Sequence, residues 1–204
     1  MTSLSAPEHQ VFSTLLDAVA AAYAREGRPG GDQAAARLHD AASKPYRRRA
    51  QRLKPVGLLE DCCRLPNALP LSRRILACSP LLDWEPWEGA GLSDEISSRL
   101  FTTELLGPDG HIHDDEMRVG LLVSKAGTDY PLSSHSGEET YFVIAGEAEW
   151  VLGKGPYRPH PPGTLIHHPA WEKHGRRTLA EPFLGAWRWS GDLDLASFEV
   201  ADKT

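Results

Sequence analysis

No stretch of this chain approaches the roughly 18 to 20 consecutive apolar residues that a membrane-spanning helix needs, so no membrane partner is expected. Cysteine is scarce as well. The three present, Cys62, Cys63 and Cys78, are odd in number and two are adjacent, a poor basis for a disulfide framework and one that fits a reducing compartment. Positive charge is in deficit: 22 Lys and Arg stand against 28 Asp and Glu, for a formal net charge of -6. The chain as a whole therefore has no electrostatic reason to seek nucleic acid or anionic lipid. Its one basic run, Arg47, Arg48, Arg49, Arg52 and Lys54, has no interleaved aromatics and reads as a solvated helix face. The opening residues also lack a charged segment followed by an unbroken apolar stretch, because Asp17 interrupts it. A cytoplasmic protein is the expectation.

What is there is turn-rich: 18 Gly and 16 Pro in 204 residues, a mixture that suits many short strands better than long helices. The length allows one ordinary domain plus an extension, or two small domains. From Pro7 to Arg25 the apolar positions Val11, Leu15, Val19 and Tyr23 recur every four residues, as an amphipathic helix requires. Ser5 and Glu8 have the spacing of a capping box at its start. After Gly30 and Gly31 come two further helical stretches, Asp32 to Ser43 and Leu71 to Cys78. Beyond Trp84-Glu-Pro-Trp87 the pattern changes to short β-like runs between Gly, Pro and Asp turns. Candidate strands are Arg99 to Leu106, Met117 to Ser124, Thr140 to Ile144, Ala148 to Leu152, Thr164 to His167, Gly175 to Thr178 and Phe183 to Trp189. Residues 1–90 are expected to form a helical region packed on a β-barrel spanning 91–204, a mainly β protein.

Within the β half, His135 and Glu139 lie four residues apart, across a turn and into a strand. Alternation along an extended chain lets Glu139 and Tyr141 face inward while Thr140 and Phe142 face outward. His174 opens a later strand. Two neutral imidazoles and one carboxylate are a common ligand set for a catalytic divalent metal, because three protein ligands leave coordination positions free. His111-Ile-His113 is a competing pair, set aside because Gly110 and the acidic run Asp114, Asp115 and Glu116 read as a solvent loop. His167 and His168 are adjacent, so only one can face inward, and neither is required. Tyr130 and Tyr141 are either functional hydroxyls or aromatics that fill the barrel. Trp187 and Trp189 share one strand face and, with Trp171, offer ring faces that attract onium cations.

These residues carry a resemblance to the cupin superfamily. Its first motif matches at Gly127, His135, Glu139 and Gly146, and its second at Gly163, Pro169 and His174. Ser133 stands where the first motif has its other histidine, Trp171 where the second has a glycine, and Thr178 where it has an asparagine. The succession His135, Glu139, Tyr141 and then His174, after a helical N-terminal part and with Tyr130 in the preceding strand, resembles the cupin-type dimethylsulfoniopropionate (DMSP) lyases, the DddQ-like group. The resemblance implies a jelly-roll, or double-stranded β-helix, barrel. It further implies one divalent ion (Zn, Fe, Mn, Co or Ni) held by His135, Glu139, His174 and Tyr141. It implies a sulfonium carboxylate substrate and β-elimination to dimethyl sulfide and acrylate, with Tyr141 as base. Tyr130 would orient the substrate or serve as the base itself, and Trp171, Trp187 and Trp189 would bind it. Cupin barrels also pair through exposed strands, which allows a homodimer. A cupin dioxygenase or isomerase, a lyase relative acting on another small carboxylate, and a non-catalytic small-molecule-binding module are the alternatives.

Overall fold

Alternation along the strands sends side chains to two faces of a sheet, and in this protein a large sheet is covered on both. The computed structural model describes residues 4–48, 55–89 and 91–201. Four helices come first: α1 (Ala6–Tyr23), α2 (Pro29–Ala41), α3 (Val56–Arg64) and α4 (Pro70–Cys78). The capping box forms at α1: the Glu8 backbone N–H donates to the Ser5 hydroxyl, and the Glu8 carboxylate accepts from the Ser5 backbone. Helix α3 is not among the helices expected from periodicity, since prolines 55 and 66 bracket only nine helical residues. Among the described residues no helix is long and apolar enough to cross a membrane.

The strands are β1 (Glu85–Pro86), β2 (Leu100–Gly107), β3 (Ile112–His113), β4 (Met117–Ser124), β5 (Asp129–Ser134) and β6 (Glu138–Ala145). They continue as β7 (Ala148–Leu152), β8 (Arg158–His160), β9 (Leu165–His168), β10 (His174–Thr178), β11 (Phe183–Ser190) and β12 (Glu199–Val200). The seven strands proposed from sequence all appear, each end within one or two residues. Strand β5 was missed by pattern because Pro131 and its two serines look like a loop; the proline sits where pairing with β10 is irregular, so no ladder hydrogen bond is lost. One sheet runs β1-β2-β4-β11-β6-β9, with β3 beside β2, and the other runs β12-β5-β10-β7-β8. Every pairing is antiparallel except β2 with β3.

The two faces of the large sheet have different tasks. Val119, Leu121, Phe142, Ile144, Leu184 and Ala186 share one core with Leu15, Leu16, Leu38 and Ile75 of the helices. Their strand neighbours Leu122, Val143 and Phe183 point the other way and pack between the sheets with Trp150. Leu152, Trp171 and Leu179 remain exposed. The motif glycines 127, 146 and 163 all have positive φ, which explains why a residue without Cβ stands at each of those turns.

Charge also ties the helices to the sheet. Arg188, fully buried on the helix side of β11, donates through Nε to Glu26 Oε2 at 2.7 Å and through Nη2 to the second Glu26 oxygen and to Glu138. The Thr140 hydroxyl donates to the same Glu26 at 2.8 Å, and the Tyr23 hydroxyl donates to the Thr140 carbonyl.

Two expectations need correcting. Arg47 and Arg48 belong to no helix: the Arg47 backbone N–H donates to the His111 carbonyl at 2.7 Å and an Arg48 guanidinium N–H donates to the Pro80 carbonyl at 3.1 Å. Arg49, Arg52 and Lys54 lie outside the described residues. The loop around His111 is only partly in solvent: His113, Asp115 and Glu116 are exposed, but His111 is buried, stacked on Tyr46, and its Nδ1 donates to the Arg47 carbonyl at 2.9 Å. Asp114 is buried too, paired with Arg37 at 2.7 Å. A polar run in sequence carries no information about whether a long-range partner will cover it.

Removing Glu26 would leave the buried Arg188 guanidinium with only the more exposed Glu138 as counter-charge. Glu26→Ala is expected to lower the unfolding free energy by roughly 3–5 kcal/mol, the usual penalty for breaking one side of a buried pair. Urea unfolding followed by circular dichroism measures it, and a loss below about 1 kcal/mol would mean that the pair does not anchor the helices.

Candidate active site and metal centre

Between the sheets lies a cavity of about 310 Å³. Strand β6 contributes Glu139 and Tyr141, which lie opposite Trp189 and Trp187 on β11. Strand β9, on the other side of β6, sets His168 against Glu139. From the facing sheet β10 brings His174 and then Arg176, opposite Ser133 and Tyr130 of β5. His135 enters from the turn between β5 and β6. The sequence separation of these groups is large, and antiparallel register is what brings them to one place.

The donor atoms are close. His135 Nε2 lies 3.3 Å from Glu139 Oε2, and His174 Nε2 lies 3.3 Å from the same oxygen. One ligand atom from each of the three falls within 4.8 Å of the others. Tetrahedral donors ~2.1 Å from a shared ion stand ~3.4 Å apart, so the spacing suits a divalent cation.

The hydrogen bonds on the far side of each ring strengthen the case. His135 Nδ1 donates to the Gly137 carbonyl and His174 Nδ1 to the Glu172 carbonyl, each at 2.9 Å. A carbonyl can only accept, so these bonds place the proton of each neutral ring on Nδ1 and leave Nε2 as a lone pair facing Glu139. Two imidazole lone pairs and a carboxylate oxygen aimed at one another repel unless a cation lies between them, and such outer hydrogen bonds are the usual way to orient a metal-binding histidine. Burial works to protonate Glu139, and positive charge beside it works the other way: a proton on the facing nitrogens of His135, His168 or His174, like a cation between them, holds the carboxyl well below its usual range.

His168, set aside in the sequence reading as not required, belongs to this neighbourhood. It is buried, stacks face to face on His174 at 4.1 Å, and presents Nδ1 at 3.7 Å from Glu139. Burial and the neighbouring His174 push its pKa down to about 4, so it is neutral at pH 7. His167 alternates to the other face and meets the Thr140 hydroxyl at 3.1 Å.

Aromatic rings line the rest of the cavity. Trp189 stacks on His135 with centroids 3.9 Å apart, and Trp187 is held by its indole N–H to the Thr102 hydroxyl at 3.2 Å. Trp87 and Phe198, from opposite ends of the barrel sequence, meet edge to face at 5.8 Å. The Trp87 indole donates to the Tyr130 hydroxyl at 3.0 Å. Burial pushes both phenols up and Glu139 adds to it, while Arg176 pulls both the other way and the Trp87 indole also opposes the rise at Tyr130.

Of the residues named from sequence, His135, Glu139, His174, Tyr130, Tyr141, Trp187 and Trp189 all line this cavity. Trp171 does not. It is 56% exposed and sits at the turn before β10 with φ +63, the single non-glycine residue of positive φ among those described. This corrects its assignment to the substrate pocket. The left-handed backbone explains why the cupin motif has glycine at that position, and it turns the indole to solvent. Trp87, Phe198, His168 and Arg176 were missed. Alternation from His174 would have found Arg176, whereas nothing local marks Trp87 or Phe198.

An antiparallel two-sheet barrel with two histidines and a glutamate gathered between its sheets defines a cupin. The chain also matches the family model for dimethylsulfoniopropionate lyases over residues 31–185. The DMSP lyase DddQ of Ruegeria pomeroyi is 30% identical over 148 residues, 71% of this chain and 74% of that protein. The crystal structure of DddQ from Ruegeria pomeroyi DSS-3 superposes with a TM-score of 0.74 at 27% identity, covering 94% of this chain and 96% of that one. A structure from work on the DMSP lyases RdDddP and RnDddQII superposes at 0.72 with 25% identity, covering 96% and 100%. The chain belongs to the dimethylsulfoniopropionate lyase family, a family of carbon-sulfur lyases.

Alanine at any one of His135, Glu139 or His174 should reduce bound divalent metal from about one equivalent to a small fraction. Elemental analysis of the purified variants reads this directly, and full occupancy in any of them would remove that residue from the ligand set.

Proposed function

We propose that this protein cleaves dimethylsulfoniopropionate to dimethyl sulfide and acrylate by β-elimination, and that the cavity between the sheets is where it does so. Family membership supports the reaction class. The observation that carries the reading is the meeting, in one buried cavity, of a cation-binding trio with two phenols and a set of aromatic faces.

His135, Glu139 and His174 would hold the metal, with the Tyr141 hydroxyl as a fourth donor in place of the histidine that Ser133 replaces. A divalent ion held there supplies Lewis acidity, which stabilises charge building up at the substrate carboxylate and favours the phenolate form of a nearby tyrosine.

The rest of the work falls to the chain. Trp87, Trp187 and Trp189 offer ring faces to the sulfonium, whose positive charge they attract without the hydration that a carboxylate partner would keep. Tyr130, its oxygen held by the Trp87 indole, orients the substrate. Tyr141 takes the proton from the carbon beside the carboxylate onto its phenolate oxygen. The electron pair of that C–H bond becomes the second bond of the alkene, the C–S bond breaks, and its electrons leave on sulfur as neutral dimethyl sulfide. Acrylate remains, and the phenol proton passes to solvent. No electrons are gained or lost overall, so turnover should proceed without oxygen, unlike that of a cupin dioxygenase.

Tyr141→Phe is expected to lower kcat for dimethyl sulfide release by about 10²–10⁴-fold, the scale of a lost general base. Tyr130→Phe should act mainly on KM. Headspace gas chromatography under anaerobic conditions measures both, and an unchanged rate in Tyr141→Phe would take that residue out of the mechanism. As a contrast, Trp189→Ala should raise KM at least tenfold while Trp171→Ala, altering an indole outside the cavity, leaves KM and kcat near wild type. Equal effects from the two tryptophans would mean that the aromatic wall does not bind the substrate.

A further inference from the structure

Among the described residues three arginines are buried: Arg118, Arg176 and Arg188. A guanidinium keeps its charge in proteins, so burying one requires compensation from an anion. Arg118 has Glu104 at 2.7 Å and Asp109 at 3.3 Å. Arg188 has Glu26 and Glu138. Arg176 is 3% exposed, yet none of the ion pairs among the described residues includes it.

Its surroundings are aromatic instead. The guanidinium carbon lies 4.9 Å from the Phe183 ring centroid, 5.3 Å from Trp150, 5.6 Å from Tyr130 and 5.8 Å from Tyr141. Rings of this kind hold a cation in place and restrict its rotamers, but none of them carries a formal negative charge. Arg176 also lines the cavity. It is the next inward residue after His174 along β10, ~7 Å further on at strand rise. Glu139, whose charge it feels, already faces three imidazoles.

We propose that Arg176 is the anchor for the carboxylate of the bound small molecule, so that the missing anion of the third buried arginine arrives with the ligand. This rests on the reading of the cavity as a substrate site and adds to it the group that selects for an acid. The planar fork of a guanidinium matches a carboxylate through paired N–H···O bonds. The ligand class is a short monocarboxylate whose far end carries an onium group, gripped as an anion by Arg176 and as a cation by the tryptophans. The residue is a binding and specificity determinant, since it moves no proton.

The test separates the two ends of the ligand. Propionate presents only the carboxylate and trimethylsulfonium only the cation, and calorimetry on the metal-loaded protein measures each without turnover. Arg176→Gln, at unchanged metal content, should weaken propionate binding at least tenfold while trimethylsulfonium binding changes less than twofold. Arg176→Lys, which keeps the charge and loses the fork, should weaken propionate severalfold and raise KM for DMSP more than it lowers kcat. A folded variant of either kind that binds propionate as wild type does would overturn the proposal. Should both variants fail to fold, the wild-type protein decides: propionate should shift the NMR Nε–H signal of a buried arginine, and no shift at saturation refutes the anchor. Absence of dimethyl sulfide production by the wild type would sink the proposed reaction, whereas the propionate result speaks to the carboxylate site alone.

Discussion

Three lone pairs aimed at one point are the constraint around which this structure is arranged. The imidazole nitrogens of His135 and His174 each stand 3.3 Å from the same Glu139 oxygen. Each is turned there by a backbone carbonyl that holds the opposite ring proton. In a dry interior such a gathering is unfavourable on its own and becomes favourable with a cation at its centre, because a low dielectric magnifies attraction and repulsion alike. The aromatic packing of His135 against Trp189 and of His174 against His168 removes the freedom by which the rings could turn away. The site is thus built to be completed by something that brings positive charge.

Holding that arrangement requires that β6 and β11 not move relative to one another. Their inward residues form the site, and their outward residues, Thr140 and Arg188, are held by a single carboxylate from the helical region, Glu26. Every inward site residue on these strands has an outward neighbour packed against helices. The helical region therefore acts as a brace: it covers an otherwise apolar sheet face and supplies the buried counter-charge that fixes strand positions one residue away from the chemistry. The arrangement also explains why β4 is buried on both faces, unlike a strand with one side in solvent.

The cavity brings several kinds of side chain to one place. One wall carries Trp87, Trp187 and Trp189, faces with no formal charge that favour a soft cation. Arg176, entering from the facing sheet, is buried among the rings of Phe183, Trp150, Tyr130 and Tyr141. Tyr130 and Tyr141 lie beside both, and burial keeps the two phenols protonated in the absence of added positive charge. Each tyrosine is therefore responsive to its neighbours: nearby cations draw it toward phenolate, and Glu139 opposes this for Tyr141.

Much of this was legible in the chain. Hydrophobic spacing marked α1, α2 and α4, and period-two alternation marked the seven main strands, because both signals are local and repeat at the period of the backbone. Two motifs, read as a resemblance, named His135, Glu139, Tyr141 and His174. Alternation put Glu139 and Tyr141 on one face, and Trp187 and Trp189 on another that proves to be the same cavity wall. The sequence could not tell that Trp171 turns to solvent, since that follows from a left-handed backbone at one turn. It could not tell that His111 and Asp114 are covered, or that Trp87 and Phe198 meet, since their partners come from distant segments. Nor could it show that Arg176 lacks the carboxylate its two buried counterparts have. What a residue type can do is set by its own chemistry and its neighbours in sequence; whether it does so depends on which strands register beside it and what the opposite sheet leaves unpaired, and only tertiary packing decides that.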